Sequence, residues 1–126
     1  MPRLVDALLV GLGGAIGSIA RYLMAVGTTT LLGPAFPYGT LAVNVSGSFA
    51  AGLLLGIGDV RGLAPATRYV LVTGFLGGYT TFSAFGAESV RLAEMHGLVS
   101  ACLNVAANVG VGIAAAALGL AVGRAY

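Results

Sequence analysis

Apolar positions run almost unbroken along four stretches of this chain, and the polar ones gather at the seams between them. Tyr38 to Gly58, Tyr69 to Ala87 and Gly97 to Gly123 contain no Asp, Glu, Lys or Arg. An earlier stretch, Leu4 to Val26, has the same character, with Asp6 at its start and Arg21 toward its end. A helix rising ~1.5 Å per residue needs roughly 20 residues to cross a hydrocarbon core of ~30 Å. The pattern therefore predicts an all-α membrane protein with four transmembrane helices, over 4–26, 38–58, 66–94 and 98–123, forming one domain across 1–126.

The seams are turns. Gly27 to Pro37 holds three threonines and the breakers Gly33, Pro34 and Pro37. Asp59 to Pro65 carries Arg61 and Gly62, and Arg91 to Gly97 carries Glu94 and His96. None is long enough to hold a separate domain, so the four helices make a single bundle.

Composition sharpens this picture. Of 126 residues, 58% are hydrophobic and 8% charged, with a mean hydropathy of +0.99, which leaves too little polar surface for a soluble domain. A net charge of +2, scattered rather than clustered, excludes a nucleic-acid surface. The arginines mark membrane edges instead. With alternating spans, Arg3, Arg61, Arg68 and Arg124 share one side against Arg21 and Arg91 on the other, a small positive-inside bias that permits insertion in both senses. Arg3 ahead of an apolar run has the look of a cleaved leader, but three more apolar segments follow and no polar domain is left to export. The single cysteine, Cys102, excludes an internal disulfide framework or a thiol metal cluster.

Glycine is abundant, and Gly13 and Gly17, Gly52 and Gly56, and Gly119 and Gly123 stand four apart. Small residues at this spacing let helix backbones approach where lipid supplies no hydrophobic drive. The run Gly11 to Gly17 matches a dinucleotide-binding loop in outline, but it follows no strand and opens no βαβ unit.

Polar side chains inside a span are costly unless they pair or line a wet path. Thr40, Asn44 and Ser48 share one face of the second span, and Ser100, Asn104 and Asn108 share one face of the fourth. By spacing alone, these stripes either join helices or line a path. The third span contains Gly77-Gly78-Tyr79-Thr80-Thr81, a poor helix interior, and a break near 76–81 is expected. Carbonyls freed there need protein, water or an ion, and a cation is the obvious candidate. For transport, by contrast, neutral amide and hydroxyl donors suit an anion, and Phe82 and Phe85 add ring edges of partial positive charge. A proton-coupled drug exporter would require a membrane-embedded carboxylate, and an assembly subunit would need only the small-residue motifs. No nucleophile and base pair points to an enzyme.

Several fragments together resemble the Fluc (CrcB) family of fluoride channels: Gly13-Gly14-Ala15-Ile16-Gly17 followed by Arg21-Tyr22, then Gly39 to Gly47, and above all Gly74 to Phe85 with Glu88 just after. The likeness spans nearly the whole chain. It implies an antiparallel, dual-topology homodimer in the cell membrane, with two narrow fluoride pathways and a central structural Na⁺ that is not transported. It assigns the Na⁺ to the main-chain carbonyls of Gly77 and Thr80 from both subunits. Phe82 and Phe85 correspond to the family's aromatic box, Asn44 to its pore amide, and Ser83 to a polar residue beside the path. Thr40 and the stripe Ser100, Asn104 and Asn108 take the place of the family's polar lining, where Ser, Thr or Tyr is usual. Ala84 replaces the usual Thr of the third motif. Arg21 corresponds to a basic position at a pore mouth, where it attracts anions or anchors lipid headgroups. Passive flow through such a path would lower cytoplasmic fluoride.

Overall fold

The computed structural model describes residues 1–126 as an all-helical chain. Helix α1 (Leu4–Leu32) and helix α2 (Tyr38–Arg61) are followed by a third crossing and a fourth. The third is made of α3 (residues 65–79) and α4 (Phe82–His96), and the fourth is α5 (Leu98–Ala125). All four crossings are long and apolar enough to span a membrane.

Helix α1 runs through the threonines expected in a loop. The Thr28 and Thr30 hydroxyls donate to the carbonyls of Met24 and Val26, both at 2.8 Å, so these side chains are satisfied inside the helix and need no turn. The helix stops at Gly33, whose φ of 84° takes the backbone out of the helical region. The other two connections are also shorter than expected. Residues 62–64 link α2 to Pro65, which opens α3 where a missing N–H costs nothing. Gly97 alone, at φ 89°, separates α4 from α5.

Two segments depart from ordinary α winding. Arg68–Leu76 in α3 and Ala107–Val111 in α5 form wider π turns, which shift the register of side chains beyond them. Between α3 and α4, Thr80 (φ −84°, ψ 158°) and Thr81 (φ −150°, ψ 118°) are extended. The Thr80 N–H and hydroxyl both donate to the Leu76 carbonyl, at 3.0 and 2.8 Å. The Thr81 hydroxyl accepts from the Ala84 N–H at 3.2 Å and so caps α4.

Helix α2 packs along α5, and α1 along α3. Glycines set both distances. A Cβ on Gly52 would strike the Ala116 carbonyl, one on Gly119 the Phe49 carbonyl, and one on Gly17 the Phe75 carbonyl. Backbones in contact recover by dispersion what apolar side chains cannot gain in lipid. The buried apolar core is only Val43, Leu76, Leu92 and Ala101, while Leu8, Leu12, Ile16, Leu103 and Ile113 face outward. Polar pairs sit at the helix ends: Arg3 with Asp6 at 3.0 Å, Arg124 with Asp59 at 2.7 Å, and Arg61 with the Tyr126 carbonyl.

Candidate functional site

The two extended threonines lie beside Asn44 of α2, whose amide answers them atom for atom. Its oxygen accepts from the Thr81 N–H at 2.9 Å, and its nitrogen donates to the Thr81 carbonyl at 3.1 Å. A side-chain amide thus stands in for the peptide partner that the helix no longer provides. The second N–H of Asn44 goes to Asn108 Oδ1 at 2.9 Å. Asn108 in turn donates to both the carbonyl and the Oδ1 of Asn104, each at 3.0 Å. Asn104 donates to the Ser89 hydroxyl at 3.0 Å, and Ser89 donates to the Phe85 carbonyl at 2.7 Å.

A cavity of about 470 Å³ opens beside this chain, with Asn44, Gly77, Thr80, Phe82, Phe85 and Asn108 among its walls. Its lining includes no ionisable side chain. The Phe82 and Phe85 rings are 5.6 Å apart at 64°, edge to face, an arrangement that leaves positive ring edges available. Phe82 is 82% exposed on the single chain.

Around the interruption, hydrogen bonds end on the carbonyls of Leu76, Gly78 and Thr81. Those of Gly77 and Thr80 receive none, and Gly77 lies exposed on the surface of the chain.

A second cavity, of about 340 Å³, shares Thr81 with the first and is lined by Ser18, Arg21, Thr40 and Glu88 among others. Arg21, on α1, reaches across to the third crossing. Its Nε donates to the Gly78 carbonyl at 3.0 Å, in the last turn of α3, where a cation also answers the helix dipole. Thr40 is buried and donates to Glu88 Oε1 at 3.0 Å, while Glu88 Oε2 is buried without a partner. Glu88, given no site role by the sequence reading, lies on α4 inside the third crossing. Its position one turn beyond Ala84 and Phe85 was the available signal.

The expected residues therefore divide. Asn44, Gly77, Thr80, Phe82, Phe85 and Asn108 meet at the first cavity, and Arg21 and Thr40 at the second. Asn104 is fully buried behind Asn108 and lines neither. Ser83 is exposed, its hydroxyl 3.4 Å from that of Thr81. Ser100 is half-buried, outside both cavities.

Comparison with known proteins identifies the relatives of this chain. The profile of the family described as CrcB-like protein, Camphor Resistance (CrcB), matches residues 8–120. A chain from Rhizobium etli (strain CIAT 652) is 47% identical over 123 residues, covering 97% of this chain and 98% of that one. One from Rhizobium meliloti (strain 1021) is 48% identical over 119 residues, 94% of this chain and 95% of the relative. A third, from Agrobacterium fabrum (strain C58), is 47% identical over 122 residues, 96% and 98%. Each of these relatives bears the name fluoride-specific ion channel FluC.

Proposed function

Since the chain belongs to the CrcB family, we propose that it is a fluoride-selective channel that lets fluoride leave the cytoplasm down its electrochemical gradient. It is a multi-pass membrane protein of a channel class and not an enzyme. The observation that carries the proposal is the near-full-length likeness to chains named fluoride-specific channels, which coincides here with a cavity free of ionisable groups and furnished with two amides.

Fluoride is small and holds its water strongly, so entry into a low-dielectric bundle requires donors that replace the hydration shell. In this chain those are the amides of Asn44 and Asn108, with the ring edges of Phe82 and Phe85. Both N–H groups of Asn44 are already engaged. An arriving ion therefore exchanges one hydrogen bond for another, which favours an acceptor stronger than a carbonyl oxygen and disfavours a large, weakly accepting anion. Thr40 extends the polar lining into the second cavity, Ser83 and Ser100 stand outside both cavities, Asn104 supports the lining from behind Asn108, and Arg21 draws anions toward it.

The functional unit in this reading is an antiparallel homodimer with two pathways, the third helix of each copy interrupted at mid-bilayer. The carbonyls of Gly77 and Thr80 accept no hydrogen bond within the chain, and Gly77 is exposed. That donor set fits a structural Na⁺ held between two copies by oxygen atoms of neutral groups. When bound, such an ion ties the two interruptions together and makes the local potential more positive.

Glu88 favours a second reading, proton-linked movement, because it supplies a half-buried carboxylate with one unpartnered oxygen. One experiment separates the two. Liposomes holding the purified protein, loaded with fluoride and chloride, should release fluoride rapidly and retain chloride, at a rate unchanged when the proton gradient is collapsed. Retention of fluoride at the level of protein-free vesicles would sink the channel proposal.

A further inference from the structure

The hydrogen bonds running from Asn44 through Asn108, Asn104 and Ser89 to Phe85 all point one way, and this polarity is forced. The Thr81 backbone presents one donor and one acceptor, which fixes the orientation of the Asn44 amide. Its remaining N–H requires Asn108 to offer an oxygen, so the Asn108 nitrogen must face Asn104. Asn104 therefore presents its own oxygen to Asn108 and its nitrogen to Ser89, whose hydrogen falls on the Phe85 carbonyl. Both ends of the relay lie on the same short stretch of chain, the residue before α4 and the end of its first turn. Phe82 stands between those ends, and Phe85 is one of them.

We propose that Asn104 and Ser89 are positioning residues that set the spacing of the two phenylalanine rings without touching the ion. The proposal deepens the fluoride-channel reading and rests on it. Neither residue lines a cavity, and Asn104 has no exposed surface. Their influence must therefore pass through the bonded chain. One arm of it reaches Asn44 by way of Asn108, and the other holds the Phe85 carbonyl directly. Together α2 and α5 grip α4 at two points, Thr81 through Asn44 and Ser89 through Asn104, so the turns between them, which carry Phe82 and Phe85, cannot rotate without breaking one of them. Loss of the Asn104 to Ser89 link separates the two grips. Ring edges then wander relative to the path, and discrimination between a small and a large anion suffers more than folding does.

The test measures initial rates of fluoride and chloride release from liposomes, per mole of monodisperse full-length protein. Wild type is compared with Asn104→Leu, Ser89→Ala, the double variant and Ser89→Thr. Each single variant should lower the fluoride-to-chloride ratio by about tenfold, the loss that follows from one buried hydrogen bond. The double variant should fall no further than the worse single one, because both changes cut the same link. Ser89→Thr keeps the hydroxyl and should keep the wild-type ratio. Singles that retain the wild-type ratio while only their thermal stability drops would overturn the inference. If Asn104→Leu is not monodisperse, Ser89→Ala decides alone, since it removes one oxygen from a half-buried site. A wild type without preference for fluoride would overturn the channel reading itself, and this inference with it.

Discussion

Replacing Asn44 with Asp exchanges an NH₂ for an oxygen at the one side chain that answers both polar atoms of Thr81. The acceptor for the Thr81 N–H survives. The two donor contacts, to the Thr81 carbonyl at 3.1 Å and to Asn108 Oδ1 at 2.9 Å, become oxygen facing oxygen. Leaving two buried acceptors unpaired costs about 1–3 kcal/mol each. Asn108 can turn its NH₂ toward the new carboxylate only by giving up both bonds to Asn104. The larger effect is electrostatic. The cavity of about 470 Å³ corresponds to a sphere of roughly 5 Å radius, and a carboxylate at that distance from an anion repels it by about 3 kcal/mol at an effective dielectric of about 20. Fluoride occupancy should then fall roughly 10²-fold. A fluoride electrode reading efflux from proteoliposomes, normalised to monodisperse protein, measures this. Asn44→Ala loses both donor bonds and the acceptor for the Thr81 N–H as well but introduces no charge, so on the electrostatic reasoning it should retain clearly more flux than Asn44→Asp. Equal losses in the two variants, or an Asp variant within tenfold of wild type, would refute the electrostatic reasoning.

Other expectations follow from the packing and the interruption. Gly17→Ala drives a methyl into the Phe75 carbonyl and should lower the detergent-solubilised Tm by at least about 3 °C, whereas Gly11→Ala, with nothing within 4 Å of its Cβ position, should hold or raise it. Arg21→Gln removes the cation beside the Gly78 carbonyl, so fluoride flux should fall several-fold and lose much of its dependence on ionic strength. Phe82→Ile should abolish throughput while size-exclusion chromatography still reports the wild-type oligomer. Exchanging Na⁺ for a large organic cation should lower the thermal stability of the assembled protein or its activity, and full insensitivity of both after prolonged dialysis would remove Gly77 and Thr80 as its ligands.

The four crossings were legible because hydropathy over roughly 20 residues is a strong, additive signal. So was the pairing of helices through glycines four apart, since a missing Cβ is readable directly from the sequence. Connections were read too long. Thr28 and Thr30 have turn composition, yet their hydroxyls fold back on the helix, and whether a threonine does this is decided by three-dimensional surroundings. Within the stretch Gly77 to Thr81, read as a poor helix interior, the glycines and the threonines part ways. Gly77 and Gly78 are helical, and Gly78 serves close approach to the Gly14 carbonyl. Thr80 and Thr81 are the extended pair, and what accommodates them is Asn44, 37 positions away. The partner of Arg21, the Gly78 carbonyl, was out of reach of spacing arguments for the same reason, being 57 positions distant. The amide stripes could not be assigned by spacing because joining helices and lining a path demand the same residue types. In the folded chain Asn44 and Asn108 join α2 to α5 and also line the first cavity.

Gly97 has a consequence for anyone lengthening the protein. With α4 ending at His96 and α5 beginning at Leu98, this hairpin has no slack. One inserted residue absorbed into helix turns everything downstream by about 100°. Asn104 and Asn108 would swing off the face that meets Ser89 and Asn44, and an intact fourth span would carry a mute one. The bend at residues 33–37 has several residues to take up such a change. Epitope tags, fluorophore sites and natural length variation should therefore collect at that bend and spare the tight corner.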